Sequence, residues 1–167
     1  LNLVYLCKYY GLEEVAHYWY QVIKINDYQR FRFSKKINSF FEENKIPKTI
    51  TILGWGFKGN TNDSRESSSI YISKKLLNFG FKLKIYDPKI SKIQIKDDLK
   101  ILKENNKVKI YVNSIDAIEK GNGIAILTDW VEFKNYNWEL IIKKIGSSKR
   151  IFDGRNLLDK KLNTNRL

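Results

Sequence analysis

The sequence predicts an α/β protein in which one long helix is followed by a doubly wound parallel sheet. Apolar residues recur at steps of three and four between Leu12 and Glu43, which is the spacing of an amphipathic helix. From Lys48 onward, short apolar segments alternate with amphipathic ones, and this alternation is typical of parallel strands joined by helices. Because parallel strands need crossover connections, helices are expected to cover both faces of the sheet.

The first domain, residues 1–47, is expected to be helical. Leu1 to Tyr10 is interpreted as the end of one helix, and Gly11 as the break before the long helix begins. Asn26 and Gln29 interrupt the apolar stripe of that long helix. They are either a hydrogen-bonded pair where two helices pack or part of a face shared with a ligand or a second subunit.

The second domain, residues 48–167, is expected to contain five strands. The predicted strand order is 3-2-1-4-5, which places a ligand-binding crevice between the first and fourth strands. The strand candidates are Thr49 to Leu53, Phe81 to Tyr86, Lys109 to Val112, Gly123 to Leu127 and Arg150 to Phe152. The helix candidates are Glu66 to Phe79, Ile90 to Leu102, Ile115 to Glu119 and Trp138 to Ile145.

Composition excludes several classes of protein. No apolar run in the 167 residues approaches the roughly 18 residues of a membrane helix. One cysteine, Cys7, cannot form an intrachain disulfide, and one histidine, His17, cannot supply a zinc site of the usual kind, so no metal site is expected. Cys7 lies on an apolar segment far in sequence from His17, which favours a packed, inert thiol over a nucleophile.

The formal charge of +13 first suggests a polyanion-binding protein. The basic residues, however, run from Lys8 to Arg166 as singles and pairs without a dominant block. This spread favours a compositional bias of surface positions, so neither nucleic acid nor a membrane is expected as a partner.

The segment Gly54 to Gly59, GWGFKG, follows the first predicted strand and matches the G-x-G-x-x-G pattern. A dinucleotide-binding fingerprint needs its third glycine inside the first turn of the next helix. Here the residues after Gly59 are the loop-forming run NTNDS (60–64). The pattern therefore favours an elongated ligand loop over a standard NAD fingerprint.

Arg65 follows a possible helix start. Asp63 or Ser64, with Glu66 close behind, has the spacing of a capping box, which would place Arg65 in or near the first helical turn. A cation there opposes the helix dipole, and a bound anion would explain its position. The alternative is an arginine that faces solvent or a local carboxylate.

Three cations are expected at the carboxyl edge of the sheet. Lys58 and Arg65 follow the first strand and Arg155 follows the fifth, so they are expected to converge on a phosphate or pyrophosphate. Asp87, after the second strand, is interpreted as a turn residue, with a ribose ligand as the alternative.

Several motifs in one order resemble the UDP-glucose 6-dehydrogenase family, within the wider UDP-glucose/GDP-mannose dehydrogenase group. The segment FKGNTNDSRES (57–67) resembles the family's Phe-Lys and Thr-x-Asp-x-Arg-Glu-Ser signature, and NDYQR (26–30) resembles its long-helix motif. The resemblance covers nearly the whole chain and is nearest the eukaryotic type, with GDP-mannose dehydrogenase as the second choice. Further matching segments are IYDP (85–88), TDW (128–130), FK (133–134) and FDGR (152–155).

The resemblance implies a Rossmann-like UDP-sugar-binding domain behind a central helix that supports a dimer. Family members oxidise UDP-glucose to UDP-glucuronate with two NAD molecules, through a covalent intermediate on a cysteine. Phe57, Lys58 and Arg155 match positions that contact the UDP-sugar, and Arg65 matches one that contacts the NAD phosphates. The implied partners are UDP-glucose, UDP-glucuronate and a second copy of the chain, and the expected location is the cytoplasm.

The chain also departs from the family's pattern. The family's catalytic cysteine stands in a Cys-Phe-x-Lys-Asp segment that would end just before Leu1. The family's NAD domain would precede that segment. A further strand is expected beyond Leu167. We therefore expect no catalytic residue within this chain and no dehydrogenase activity from it alone. Two other classes stay open, a free-standing module that binds polyanions and a dimerisation scaffold built on the long helix.

Overall fold

The structure is a computed structural model that describes residues 2–101, 106–145, 150–159 and 164–166. Helices α1 (Asn2–Tyr9) and α2 (Glu13–Glu43) come first. The strands are β1 (Thr49–Leu53), β2 (Lys82–Tyr86), β3 (Val108–Ile110), β4 (Gly123–Ile126), β5 (Arg150–Asp153) and β6 (Thr164–Arg166). The helices between them are α3 (Ser68–Asn78), α4 (Lys92–Leu99), α5 (Ser114–Glu119), α6 (Val131–Lys134) and α7 (Trp138–Ile145).

The strands form one parallel sheet in the order β3-β2-β1-β4-β5-β6. The predicted α/β class and the order 3-2-1-4-5 are therefore confirmed for the first five strands. The chain contains one strand more than the five predicted, because β6 pairs with β5 and places Thr164 opposite Ile151. The β6 sequence Thr-Asn-Arg contains no apolar residue, so a search for apolar segments could not indicate it.

Alternating side chains of the sheet enter two separate cores. One face of β1 places Ile50 and Ile52 against α2, α3 and α4, whereas Leu53 packs towards α5, α6 and α7. The central strands β1, β4 and β5 are buried on both faces, whereas β2 exposes Lys82 at its first position.

The two halves of α2 have different surroundings. Phe33, Ile37 and Phe41, in the second half, are at most 1% exposed and pack on the sheet. In the first half, Trp19 and Val22 on the predicted apolar stripe are each 37% exposed. Neither α2 nor any other helix in the described part of the chain is long and apolar enough to span a membrane.

Candidate functional site

The segment 54–67, called the glycine loop below, connects the carboxyl end of β1 to α3 and passes close to the end of β4. Gly54 has a φ of +92°, and a Cβ atom built there would lie 2.4 Å from the Cβ of Thr128. The hydroxyl of Thr128 donates a hydrogen bond of 2.7 Å to the carbonyl of Gly56. A side chain at position 54 would therefore force the loop away from the crevice between β1 and β4.

The start of α3 differs from the prediction. The helix begins at Ser68, and Ser67 is its cap, with an Oγ that accepts from the backbone N–H of Ser69 at 3.2 Å. The expected caps Asp63 and Ser64 are wrong, because Glu66 has a φ of +57° and interrupts the helical backbone before Ser67. The long gap between Gly59 and Ser68 confirms the elongated loop.

Arg65 consequently precedes the helix and does not lie in its first turn. Its side chain is 89% exposed, and its Nη2 lies 2.8 Å from Oδ2 of Asp63. Hydrogen bonds from the Arg65 side chain and backbone hold the pKa of Asp63 at about 2. The local carboxylate accounts for the position of Arg65, so the argument from the helix dipole for an anion there is withdrawn.

Arg155 lies against the turn that carries Phe57 and Lys58. Its Nη2 donates to the carbonyl of Phe57 at 3.2 Å, and its Nε donates to the carbonyl of Leu127 at 2.7 Å. Phe57 is 50% exposed and Lys58 is also exposed, so both side chains are accessible at this edge. The structure thus brings Phe57, Lys58 and Arg155 together, while the contacts described for Arg65 join it to Asp63.

Two acidic residues hold the glycine loop from opposite sides. Asp129, which the sequence argument did not single out, accepts from the backbone N–H of Gly59 at 3.0 Å. Asp87 is 9% exposed, and its carboxylate accepts hydrogen bonds from five N–H groups. The interpretation of Asp87 as a turn residue is therefore confirmed, and the alternative of a ribose ligand is not supported. Its donors are the backbone N–H groups of Trp55 (2.6 Å), Gly56 (3.1 Å), Lys89 (2.8 Å) and Ile90 (2.8 Å) and the indole N–H of Trp130 (3.0 Å).

A cleft of about 110 Å³ separates α2 from the carboxyl ends of β4 and β5. Asn26 and Gln29 line it together with Arg155. Asn26 is exposed, and the side-chain oxygen of Gln29 accepts from Nε of Arg32 at 2.9 Å. These positions favour a face shared with a ligand or a second subunit over a hydrogen-bonded pair where two helices pack.

Arg30, which the sequence argument included only within a motif, ties α2 to the end of the glycine loop. Its Nη2 donates to the carbonyl of Glu66 at 3.0 Å, and its guanidinium lies 4.1 Å from the ring centre of Tyr71. The Tyr71 hydroxyl in turn donates to the carboxylate of Glu66 at 2.8 Å. Arg30 thereby supports the backbone of Glu66 in its left-handed conformation.

A second polar cluster lies on the other face of the sheet, where Glu132 accepts hydrogen bonds from the hydroxyls of Tyr86 and Tyr136. Burial, followed by the bond to Glu132, raises the pKa of Tyr86 to about 12. Burial raises the pKa of Tyr136 as well. Both phenols are thus held neutral. Tyr86 connects Glu132 of α6 to β2, and Tyr136 connects it to Ser114 of α5.

The remaining candidates for chemistry fit structural roles. Cys7, on α1, is 7% exposed, as expected for a packed thiol. The ring of His17 is hydrogen-bonded to Gln21 at 2.9 Å. Within the described residues, no group of three or more His, Cys, Asp and Glu side chains is placed to hold a metal ion.

Solved structures of nucleotide-sugar dehydrogenases share this fold. A UDP-glucose dehydrogenase from the archaeon Pyrobaculum islandicum superposes with a TM-score of 0.69 at 21% identity, covering 98% of this chain and 34% of the other. A UDP-D-ManNAc dehydrogenase from Pyrococcus horikoshii gives a TM-score of 0.64 at 24% identity, over 93% of this chain and 32% of the other.

Sequence comparison is more specific. UDP-glucose 6-dehydrogenase from Gallus gallus is 47% identical over 165 residues, which is 95% of this chain and 33% of that protein. UDP-glucose 6-dehydrogenase 2 from Arabidopsis thaliana is 38% identical over 174 residues, covering 95% of this chain and 36% of the plant protein. The chain thus spans about a third of the length of these relatives. The sequence model of the UDP-glucose/GDP-mannose dehydrogenase family, UDP binding domain, matches residues 51–160. This chain belongs to the UDP-glucose/GDP-mannose dehydrogenase family and contains its UDP-binding domain.

Proposed function

We propose that this chain is the helical and UDP-sugar-binding part of a UDP-glucose 6-dehydrogenase, which oxidises UDP-glucose to UDP-glucuronate with NAD as oxidant. The observation that carries the proposal is the contact between Arg155 and the exposed Phe57–Lys58 turn at the carboxyl edge of the sheet. Ligands of open α/β sheets bind at this edge, beside the strand where the order reverses. The identity of 45–47% to animal UDP-glucose 6-dehydrogenases favours UDP-glucose over GDP-mannose as the substrate.

In this proposal, Lys58 and Arg155 neutralise the diphosphate of the UDP-sugar. An arginine offers planar, paired donors to phosphate, whereas a lysine offers a compact charge. The Nη2 bond to the Phe57 carbonyl fixes the guanidinium of Arg155 beside the loop, so its charge is oriented before the ligand arrives. Phe57, half exposed, supplies an apolar surface to the ligand.

The proposed oxidation needs groups that these residues do not provide. No catalytic residue is assigned to the chain, since Cys7 is buried and the one histidine, His17, is bonded along its own helix. NAD, when bound, accepts the hydride, and Arg65 is the residue of this chain assigned to its phosphates. The exposure of the Arg65 guanidinium supports this assignment, although Asp63 occupies part of its hydrogen-bonding capacity. We expect this chain alone to have no dehydrogenase activity. The whole enzyme is proposed to be cytoplasmic.

We further propose self-association through the first half of α2, with residues 1–47 as a helical dimerisation segment and residues 48–167 as the sugar-nucleotide domain. Several large apolar side chains in the first half and middle of α2 are exposed in the single chain. These residues are Val15 (42%), Tyr18 (64%), Trp19 (37%), Val22 (37%), Ile25 (54%) and Tyr28 (57%). Such an apolar surface is typical of a protein–protein interface.

Calorimetric titration of the chain with UDP-glucose and with GDP-mannose, at low and at physiological salt, tests the proposal. We expect saturable binding of UDP-glucose that exceeds binding of GDP-mannose at both salt concentrations. Binding of neither ligand, or equal binding of both, would contradict it. Equal binding that weakens steeply as salt rises would indicate the polyanion-binding module instead.

A further inference from the structure

The glycine loop has the sequence pattern of a dinucleotide-binding loop, but its backbone N–H groups are already occupied. In such loops these groups normally face the pyrophosphate, with the following helix N-terminus directed at the same anion. Here the N–H of Gly54 donates to Tyr86 in the sheet, and that of Phe57 donates to the carbonyl of Asp63. The two N–H groups between them, from Trp55 and Gly56, both donate to one oxygen of Asp87.

Asp87 itself stands where a dinucleotide-binding domain carries its acidic ribose ligand, at the end of the second strand. Instead of facing a ligand, it is 9% exposed and directed at the loop. Its other oxygen accepts from Lys89 and Ile90, which fixes the carboxylate to the end of β2. The indole of Trp130 closes the remaining side with a bond of 3.0 Å.

The carbonyl groups of the loop are held equally firmly. Ser69 donates to the carbonyl of Gly54 at 2.8 Å, and Thr128 and Ser67 both donate to that of Gly56. The inner part of the loop is therefore saturated with internal hydrogen bonds. Phe57 and Lys58 lie outside this network among the exposed residues of the loop, together with Asn60, Asn62, Arg65 and Glu66.

We propose that Asp87 is a built-in anion that occupies the phosphate position of the glycine loop, excludes a dinucleotide pyrophosphate from it, and fixes the turn that presents Phe57 and Lys58. A second anion at the same N–H groups would lie beside a buried carboxylate and would find no free donor. Asp87 is thus a positioning and specificity-determining residue. The part of this proposal that concerns Phe57 and Lys58 rests on the proposed function, whereas the part that concerns anion exclusion does not.

The test uses inorganic pyrophosphate as the probe in a chain that carries Lys58→Ala and Arg155→Ala, so that the proposed substrate cations are absent. Into this background we introduce Asp87→Ala. Asp98→Ala is the matched control, because Asp98 accepts from the indole of Trp55 at 2.8 Å and removing it leaves the loop N–H groups paired. The measurement is the urea midpoint of unfolding with and without millimolar pyrophosphate.

We expect pyrophosphate to raise the midpoint of the Asp87→Ala chain and to leave the background and the Asp98→Ala control unchanged. If the Asp87→Ala chain is unfolded in buffer, pyrophosphate should restore its helical circular dichroism. An equal response in all three chains, or no response in any, would overturn the proposal.

Asp87→Asn in the otherwise unaltered chain gives a second, milder measurement. It keeps the volume of the side chain but removes the charge that holds the N–H groups of Trp55 and Gly56. We expect hydrogen exchange at these two amides to accelerate about tenfold or more relative to β1, because bonds to charged acceptors have about that effect on an equilibrium. Unchanged protection at both amides would contradict the proposal. Failure of UDP-glucose to bind the unaltered chain would contradict the proposed function and leave the role of Asp87 to be decided by these two measurements.

Discussion

Substitution of Gly54 by alanine tests whether the glycine loop is fixed by its approach to the end of β4. Two costs add at this position. An alanine at a φ of +92° costs about 1–2 kcal/mol in backbone strain. Its Cβ would also lie 2.4 Å from Cβ and 2.8 Å from the backbone nitrogen of Thr128, and overpacking of this kind costs about 1–3 kcal/mol. The expected loss in the free energy of unfolding is therefore about 2–5 kcal/mol, the sum of the two.

Gly80→Ala is the matched control for this experiment. Gly80 has nearly the same φ, +87°, but a Cβ atom there has nothing within 4 Å. Only the strain of about 1–2 kcal/mol should apply, so urea unfolding should show a clearly smaller loss than for Gly54→Ala. The Gly54 variant should also weaken UDP-glucose binding, while the Gly80 variant should not. Equal losses of stability in the two variants would refute the close-approach argument.

Two further predictions concern pH and self-association. The pKa of Tyr86 is raised from 10.0 to about 12, so the folded chain holds that proton more tightly and loses stability as pH rises through this window. Tyr86→Phe should reduce this loss in the free energy of unfolding between pH 10 and 12 by at most about 1.4 kcal/mol per pH unit. Tyr5→Phe, at a position that is 68% exposed, is the control and should leave the loss unchanged. Urea unfolding at graded pH measures both. Ile25→Glu should shift the chain from dimer to monomer in sedimentation equilibrium, because it places a charge in the apolar face of α2. Ile93→Glu, on α4 at a position 73% exposed, should leave the dimer intact, and equal effects of the two glutamates would contradict the assigned interface.

Most of the sheet could be predicted from the sequence because its central strands β1, β4 and β5 are buried along most of their length. β1 is rich in β-branched residues and β4 in apolar ones, and amphipathic helices separate the strands. The order of the first five strands therefore followed from pattern and connection rules. The edge strand β6 lacks that pattern. Its pairing depends on the neighbouring β5 and is not visible in three polar residues.

The candidate site was predicted in part. Phe57, Lys58 and Arg155 come together because they follow strands whose carboxyl ends share one edge. The position of Arg65 was predicted wrongly, since a capping-box spacing does not reveal the left-handed backbone of Glu66 that delays the helix. The turn at Asp87 was predicted, but its bonds to the N–H groups of Trp55 and Gly56 were not, because the direction in which a strand-end carboxylate points depends on the packing around it.

The apolar stripe of α2 shows a further limit of sequence patterns. Periodicity predicted a helix with one apolar face, and the helix is present. It could not distinguish the residues around Phe33, which pack on the sheet, from those around Trp19, which remain exposed. Apolar residues that form an interface with another chain recur along a helix with the same spacing as those that form a core.

The central claim is that the carboxyl edge of the sheet, with Arg155 as its main cation, binds the diphosphate of UDP-glucose. Calorimetric titration of Arg155→Ala with UDP-glucose tests it most directly, with Lys82→Ala as the control, because Lys82 is an exposed cation at the opposite edge of the sheet. We predict an affinity about tenfold to a hundredfold weaker for Arg155→Ala, from the loss of a charged hydrogen bond, and an unchanged affinity for Lys82→Ala. Unchanged affinity in Arg155→Ala, or the same loss in both variants, would contradict the claim.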